Sequence, residues 1–339
     1  MKTFTIDEPG KFSFTDDEVP VCGPEEVLLR MKRMGLCGSD LKTWLGLNPM
    51  VTYPRSVGHE ISGIIEERGS EVPGKIKQGM HVTVIPYTNC GKCSSCLKGR
   101  INACEYNQTM GVQRAGASSE YILVPWKKLI LSDTLSPDQL VLVEPMSVGF
   151  HAVNRGQVQS TDTVAVFGCG MIGLGAITGS AAIAENTVAI DIAGDKLNMA
   201  IKSGARLVIN SSDEEVKEKL AELTGGRGPD VVIEAVGLPA TFRQAVDLAG
   251  FAGRVVYIGY AAEEVSYETK LFVMKELDIR GSRNALQEDF DAVVQVLEKG
   301  DISADKIITK RFPFRRMGEA FEHWVENRST VTKIVIDYD

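Results

Sequence analysis

Four cysteines lie close together in the stretch NCGKCSSCLKGRINAC. Cys90, Cys93, Cys96 and Cys104 follow the spacing C-x2-C-x2-C-x7-C. Two intervening residues let one loop turn around an ion, and four thiolates arranged as a tetrahedron are a common ligand set of structural zinc. Two disulfides or an iron–sulfur cluster are the alternatives, although the spacing differs from the usual bacterial cluster motif. The spacing therefore predicts a closed zinc site with a structural role.

A second set of metal-binding residue types is distributed over three motifs. Cys37 lies in GLCGSD, His59 and Glu60 lie in VGHE, and Glu144 lies in VEP. A thiolate, an imidazole and a carboxylate brought together from three loops leave the fourth position of zinc open, which is typical of catalytic zinc. Such an ion can lower the pKa of an alcohol or polarise a carbonyl in the reverse direction. Ser39, two residues after the cysteine, could then pass the proton on.

A glycine-rich turn follows a strand-like run at 163–167. The turn consists of Gly168, Cys169, Gly170, Met171, Ile172 and Gly173. In the pattern G-x-G-x-x-G, the first glycine turns the chain, the second lets a pyrophosphate approach, and the third lets the following helix pack on the strand. The helix N-terminus, with its free N–H groups, then binds the phosphates. The turn predicts a dinucleotide site.

An acidic residue at the end of the next strand-like run indicates which dinucleotide is bound. Asp191 lies in VAIDIAGDK. A carboxylate at this position binds the adenosine ribose hydroxyls and repels a 2′-phosphate, which favours NAD over NADP. Lys196 could reach the same ribose, or it could be a lysine on a solvated helix face.

The elements that must position these residues change character along the chain. Up to residue 145, short β-branched runs broken by Gly and Pro predict an all-β, loop-rich domain. From Thr163 onwards, six short apolar runs alternate with amphipathic stretches, which predicts a doubly wound parallel sheet of six strands. After Gly281 we expect two more helices, near 289–299 and 316–327, and a last strand at 333–337. We interpret these as a return to the first domain, because the sheet is already complete.

Composition excludes several classes of protein. The formal net charge is −8, and no basic stripe is present, which argues against nucleic-acid binding, including binding by a zinc knuckle. No run of 18 apolar residues occurs that could span a membrane. The N-terminus lacks the apolar segment of a secretory signal, and clustered thiols favour a reducing compartment. We therefore expect a cytoplasmic enzyme.

Taken together, the motifs resemble the zinc-containing medium-chain dehydrogenases, the superfamily of alcohol, sorbitol and threonine dehydrogenases. The resemblance covers the whole chain in order, from GLCGSD to the terminal Lys-Ile-Val-Ile strand. It implies an α/β plus β fold in three parts. These are a GroES-like catalytic domain over 1–145, a Rossmann domain that binds NAD over 146–285, and a C-terminal return to the catalytic domain over 286–339.

The resemblance also implies roles for single residues. Cys37, His59 and Glu144 match the catalytic zinc ligands of the family, and Glu60 matches a neighbouring carboxylate that supports or exchanges with them. Ser39 matches the proton-relay hydroxyl. Lys333 falls where the family often has a basic residue near the pyrophosphate. Two zinc ions and one NAD per chain follow, with hydride passing from the alcohol to nicotinamide C4.

Two positions depart from the pattern of liver-type alcohol dehydrogenases. Glu144 replaces a cysteine, as in the branch that acts on polyols and sugar acids. Lys42 replaces the histidine that ends the proton relay in many relatives, and it is either part of a different proton route or a solvent-facing lysine.

Several stretches, among them YPRSVGHE and GSRNA, look most like bacterial dehydrogenases of sugar acids such as L-galactonate or L-gulonate. GSRNA follows the sixth predicted strand, at the sheet edge where open α/β sheets bind ligands. Arg283 offers a planar fork for a carboxylate, and Asn284 offers an amide for hydroxyls. The alternative is that Arg283 pairs at a subunit contact.

The sequence thus predicts oxidation of a secondary alcohol of a sugar acid by NAD, in a homodimer or homotetramer. Polyol and L-threonine oxidation are alternative activities. A nucleotide-binding regulatory protein without catalysis is the alternative of another class, but all three expected zinc ligands are present.

Overall fold

A computed structural model describes residues 1–300 and 302–338 of the chain. The chain divides into two compact units, Met1–Glu144 with Val293–Asp339, and Pro145–Ala292. The sequence predicts breaks after residues 145 and 285, whereas the two observed breaks fall inside helices. The predicted return over 286–339 includes residues 301 and 339, which lie outside the described residues.

The first unit is built on short, mostly antiparallel strands. These are β1 (Lys2–Glu8), β2 (Lys11–Asp16), β3 (Glu26–Gly35), β4 (Glu60–Arg68), β5 (His81–Val84), β6 (Tyr121–Pro125), β7 (Leu129–Leu131), β14 (Ile308–Pro313) and β15 (Lys333–Asp337). β1 and β2 pair with each other. The other seven form one sheet in the order β14-β15-β3-β4-β5-β7, with β6 paired to β3. Only β14 and β15 pair in parallel. The last strand has the bounds predicted from the sequence.

The first unit also contains helices. Those within residues 1–145 correct the prediction of an all-β domain there, whereas the helix predicted near 316–327 is observed. The helices are α1 (Gly38–Trp44), α2 (Ser94–Leu97), α10 (Ala304–Ile307) and α11 (Met317–Glu326), with 3₁₀ turns at Ile101–Ala103, Trp126–Lys128 and Phe314–Arg316. α11 packs on the core through Phe321. Its ring stacks on Phe4 at a centroid distance of 6.2 Å and on Trp44 at 5.1 Å. The short helices connect strands, and two of them adjoin predicted metal ligands.

The helix α3 (Pro137–Gly156) runs across the break between the units. The sequence does not reveal it, because Pro145 lies in its interior, where proline removes a backbone hydrogen bond. Burial outweighs that cost. Leu140, Val141 and Met146 are each fully buried in the helix, and burying such a side chain contributes roughly 1.5–3 kcal/mol.

The second unit is a parallel sheet with helices between its strands. The strands are β8 (Thr163–Phe167), β9 (Asn186–Asp191), β10 (Leu207–Asn210), β11 (Val231–Glu234), β12 (Arg254–Tyr257) and β13 (Asp278–Gly281). Their spatial order is β10-β9-β8-β11-β12-β13. The helices are α4 (Met171–Ala181), α5 (Gly194–Lys202), α6 (Val216–Thr224), α7 (Pro239–Leu248), α8 (Lys270–Met274) and α9 (Gln287–Glu298). The predicted doubly wound six-stranded sheet is confirmed.

Side chains of this sheet alternate between two apolar layers. Val164 and Val166 of β8 belong to one buried cluster, and Ala165 and Phe167 belong to the other. Strands covered on both faces are typical of parallel sheets. The strand order reverses between β8 and β11, and such a reversal opens a crevice at the carboxyl ends of the strands. The glycine-rich turn directly follows β8. Among the described residues, no helix is long and apolar enough to span a bilayer.

Candidate metal and dinucleotide sites

The four cysteines of the predicted structural site converge. The Sγ atoms of Cys90, Cys93, Cys96 and Cys104 all lie within 4.8 Å of one another. No pair of them forms a disulfide: the Sγ atoms of Cys93 and Cys104 are 3.8 Å apart, well beyond a bond length of about 2.05 Å. Backbone N–H groups also point at sulfur, from Cys90 to Cys104 and from Cys93 to Cys90, both at 3.3 Å.

The electrostatics of this loop fit a bound cation. A hydrogen bond from the Ser95 hydroxyl is the main reason why the pKa of Cys93 falls to about 5. In the absence of metal, burial raises the pKa of Cys96 to about 11. Four thiolates at this spacing repel one another unless an ion neutralises them, and zinc bound by four thiolates does so. The donor set therefore fits a closed zinc site.

Three donors of the second set also converge. The ligand atoms of Cys37, His59 and Glu60 lie within 4.8 Å of one another. The strands explain the meeting, because β3 ends at Gly35 and pairs there with Glu60, the first residue of β4. Cys37 then caps α1, and His59 directly precedes β4. A Cβ atom on Gly35 would lie 2.3 Å from Oε2 of Glu60, so only glycine fits beside this carboxylate.

Glu144 lies beside this group, outside the set of atoms that are all within 4.8 Å of one another, and its role as a ligand stays a prediction. The sequence places Glu144 on a loop, which is wrong, because it is a buried residue inside α3. Its Oε1 accepts a hydrogen bond from the Tyr87 hydroxyl. Burial is the main cause that raises the pKa of Glu144 to about 7, and the charges of His59 and Glu60 also act on it. The structure thus brings two carboxylates to one site.

Lys333 also lies in this site. Its side chain is buried, and Nζ donates to Oε2 of Glu60 at 2.5 Å and to the carbonyl oxygen of Leu36 at 3.2 Å. The family resemblance places Lys333 near the pyrophosphate. The structure instead pairs its ammonium with a metal-site carboxylate, at the start of β15, and a contact with the cofactor stays a prediction.

Asp40 is a further buried residue of this site, which the sequence motifs do not single out. It is fully buried, and its carboxylate accepts hydrogen bonds from the backbone N–H groups of Cys37 at 2.9 Å and Gly58 at 3.3 Å. It therefore connects the chain segments before both ligands. Its Oδ1 also lies 4.0 Å from Nδ1 of His59, a buried nitrogen that has no hydrogen-bond partner within 1–300 and 302–338. Metal-bound histidines commonly give their second N–H to a carboxylate.

Negative charge around His59 suits a cation. Burial alone would lower the pKa of His59, but Cys37 and Asp40 outweigh that effect and raise it well above its usual value. The field that stabilises a protonated imidazole also attracts a metal ion. Cys37, His59 and one of the two carboxylates therefore fit a zinc ion with an open position.

The two residues considered for the proton relay lie in different surroundings, and the relay itself stays a prediction. The Ser39 hydroxyl is buried and has no hydrogen-bond partner among the described residues. It is therefore able to donate or accept a hydrogen bond. Lys42, at the position of the usual histidine, is exposed, as expected for a solvent-facing lysine.

The glycine-rich turn has the expected geometry. Gly168 has a φ of +91°, and a Cβ atom on Gly173 would lie 1.8 Å from the carbonyl oxygen of Gly168. A Cβ atom on Gly170 would meet nothing within 4 Å, which leaves space where a pyrophosphate would approach. Gly170 caps α4, and Met171 and Ile172 form its first turn.

Asp191 ends β9 beside this turn. Its Oδ2 accepts a hydrogen bond from the N–H of Cys169 at 2.7 Å, and its Oδ1 accepts one from Ala193 at 3.0 Å. The residue that faces the ribose in the sequence interpretation is thus bonded to the turn itself. Lys196, in α5, is half-buried, and its charge acts on the Cys169 thiol.

The segment after β13 carries both predicted substrate residues. Arg283 and Asn284 are half-buried, and Asn284 adopts a φ of +53°. The segment is held from the following helix, because the buried carboxylate of Asp289 accepts a hydrogen bond from the N–H of Leu286 at 2.7 Å. The same carboxylate is bound by His151 at 2.8 Å, which gives that histidine a structural role.

Two family models match this chain. The family model described as alcohol dehydrogenase GroES-like domain matches residues 23–134, and zinc-binding dehydrogenase matches residues 172–299. An L-galactonate-5-dehydrogenase of Escherichia coli K12 is 33% identical over 338 residues, covering 100% of this chain and 99% of the relative. An erythritol/L-threitol dehydrogenase of Mycolicibacterium smegmatis is 30% identical over 348 residues, covering 98% and 96%.

Among solved structures, a short chain alcohol dehydrogenase (rspB) from E. coli CFT073, complexed with NADH, superposes with a TM-score of 0.91. It is 32% identical and covers 100% of this chain and 99% of its own. The predicted fold and the predicted cofactors, zinc and NAD, are confirmed, and the regulatory alternative without catalysis is not supported. The chain belongs to the zinc-binding dehydrogenases with a GroES-like domain, and it is an oxidoreductase of that family.

Proposed function

We propose that the protein oxidises a secondary alcohol of a sugar acid, such as an aldonate, with NAD as the acceptor. The convergence of Cys37, His59 and Glu60, with Glu144 beside them, is the observation that supports this most strongly. An alcohol that loses a proton and a hydride becomes a carbonyl compound, and NAD becomes NADH. Polyol oxidation is the second candidate, favoured by the erythritol/L-threitol relative.

The chain supplies distinct groups for this reaction. Cys37, His59 and a carboxylate would hold zinc, which when bound lowers the pKa of a substrate hydroxyl. The unpartnered Ser39 hydroxyl would carry the released proton away from the substrate. The N-terminus of α4 would hold the pyrophosphate, and Asp191 would bind the ribose. Asp191 also supports NAD as the preferred cofactor, since its charge repels a 2′-phosphate.

Arg283 is the residue that we assign to the substrate carboxylate. It follows the carboxyl end of β13, at the sheet edge where doubly wound folds bind ligands. Asn284 next to it would bind a substrate hydroxyl. The E. coli relative named for L-galactonate supports an acid as the substrate. We further propose that the enzyme is cytoplasmic, which its seven free cysteines support. We also propose a homodimer or homotetramer, which the family resemblance supports.

Replacing Arg283 tests the assignment. A charge-assisted bond to a carboxylate contributes roughly 1.5–3 kcal/mol, so Arg283→Ala should lower kcat/KM for an aldonate by about 10- to 100-fold. The kcat/KM for an uncharged polyol of equal length should fall much less. Arg283→Lys should restore part of the loss, because a point charge does not replace the planar fork. An equal loss for both substrates would show that Arg283 has another role.

A further inference from the structure

The 281–286 segment, which includes both proposed substrate residues, runs from the last residue of β13 to the residue before α9. Its beginning is held by α3, because Nε of Arg155 donates to the carbonyl oxygen of Gly281 at 3.1 Å. Its end is held by α9, because the N–H of Leu286 donates to Oδ2 of Asp289 at 2.7 Å. All of these residues belong to the second unit. Side chains of two helices therefore fix the segment at both of its ends.

The carboxylate of Asp289 connects these two helices. It also receives two side chains of α3: Nδ1 of His151 lies 2.8 Å from Oδ2, and Nδ2 of Asn154 donates to Oδ1 at 2.6 Å. An ionised carboxylate only accepts hydrogen bonds, so Nδ1 of His151 carries the proton in this pair. Asp289 is fully buried, so bulk water does not replace a lost donor. Because a buried charge depends on such donors, the loss of one should shift the carboxylate or the N–H of Leu286 that it holds.

The backbone within the segment needs this support. Asn284 has a φ of +53°, a conformation that is uncommon for residues other than glycine, although asparagine adopts it more readily than most. Such a conformation persists where the surrounding structure fixes it. Ser282 and Ala285 are buried, whereas the two proposed substrate residues between them are half-buried. The segment is thus anchored on both sides of these two residues.

We propose that His151 and Asp289 are positioning residues, whose buried pair fixes the 281–286 segment and thereby the place of the Arg283 guanidinium. The inference rests on the role of Arg283 in binding the substrate carboxylate, which is part of the proposed function. His151 acts through Asp289 and the backbone of the segment, and not on the substrate itself. Accurate placement matters, because a displacement of about 1 Å can lower the rate of an enzyme by about 100-fold.

His151→Leu removes the ring donor and keeps an apolar side chain of similar size. The backbone amides of 281–286 should then exchange faster with deuterium, while those of the glycine-rich turn at 168–173 keep their protection and report an intact fold. The ratio of kcat/KM for an aldonate to kcat/KM for an uncharged polyol of equal length should fall by about 10-fold. Asn154→Ala, at an exposed position, removes a second donor and should lower this ratio to a smaller extent. His151→Asn, which keeps an N–H near the position of Nδ1, should restore part of the ratio.

Asp162→Asn is the matched control. Asp162 is a buried carboxylate of the same unit, bound by Arg254 at 2.7 Å just before β8, and its replacement should leave the ratio unchanged. In Arg283→Ala, adding His151→Leu should lower the ratio no further, because both changes act on one contact. If Arg283→Ala lowers the ratio but His151→Leu leaves the ratio or the amide exchange of 281–286 unchanged, this inference alone is overturned. If Arg283→Ala itself leaves the ratio unchanged, the proposed function fails and the inference fails with it.

Discussion

Asp191 has a structural role in the turn beside its proposed role in binding the ribose. Its two oxygens accept hydrogen bonds from the N–H groups of Cys169 and Ala193. The carboxylate at the end of β9 therefore stabilises the glycine-rich turn. Each carboxylate oxygen has more than one lone pair, so further bonds to a ribose are compatible with these contacts. In the proposed role, a carboxylate at this position would also repel a phosphorylated ribose.

Cofactor preference tests this residue. Asp191→Gly removes both the ribose bonds and the repulsion, and charge-assisted bonds contribute roughly 1.5–3 kcal/mol. The ratio of kcat/KM with NAD to kcat/KM with NADP should therefore fall by about 10- to 100-fold. Asp191→Asn removes the charge and keeps one acceptor oxygen, so it tests the repulsion with a smaller loss of hydrogen bonds than Asp191→Gly. Equal efficiency of the unaltered enzyme with NADP would contradict the assignment.

Sequence reasoning found the residues whose spacing is local and missed those whose partners are distant. Each such site is built by one loop or one turn. The four cysteines and the glycine-rich turn can therefore be recognised within 15 residues or fewer. Tyr87 has no such signal, since its partner is 57 residues away. Asp40 had one, because it lies three residues after Cys37 in the same motif. Lys333 was placed by resemblance, and only the fold reveals its ion pair with Glu60.

At the scale of secondary-structure elements, a ring of four charged side chains connects α3 with three strands. Asp138, in its first turn, accepts from Arg33 of β3 at 3.1 Å and from Arg311 of β14 at 2.7 Å. Asp337 of β15 accepts from the same two arginines at 3.0 and 3.3 Å. The ring thus connects the helix that carries Glu144 with the strand that leads to Cys37. The sequence could not predict it, because it joins residues from four elements.

Stability should depend on this ring in a pH-dependent way. Burial raises the pKa of Asp138, but the hydrogen bond and charge of Arg311 and those of Arg33 lower it below its ordinary value. A lowered pKa in the folded state means that the stabilisation is complete above about pH 4 and is lost as the pH falls through the folded-state value.

Asp138→Asn should therefore reduce the free energy of unfolding by about 1–2 kcal/mol at pH 7, a range that allows for solvent screening at a partly exposed site. The difference from the unaltered protein should shrink at low pH. Denaturant unfolding at several pH values measures both effects. Glu25→Gln, which breaks the exposed pair with Lys127, is the control and should change stability by less than about 0.5 kcal/mol. A loss that is independent of pH would exclude the electrostatic explanation.

At the scale of the molecule, each unit carries its own part of the reaction. The metal-binding residues and the four-cysteine loop belong to the first unit, and the dinucleotide turn belongs to the second. The alternation of strands and helices was enough to predict the six-stranded sheet, since parallel strands need crossover helices. The boundaries were harder to predict. Helix α3 runs across the first break and helix α9 across the second. A continuous helix lacks the flexible, Gly- or Pro-rich residues by which a linker is recognised in a sequence.

The identity of the alcohol that this dehydrogenase oxidises is the central proposal. The most direct measurement is kcat/KM, from the absorbance of NADH formed, for an aldonate such as L-galactonate and for an uncharged polyol of equal chain length. We predict that the aldonate is preferred by at least about 10-fold, the contribution of one charge-assisted contact at Arg283. A preference for the polyol would contradict the sugar-acid assignment and leave a polyol dehydrogenase in its place.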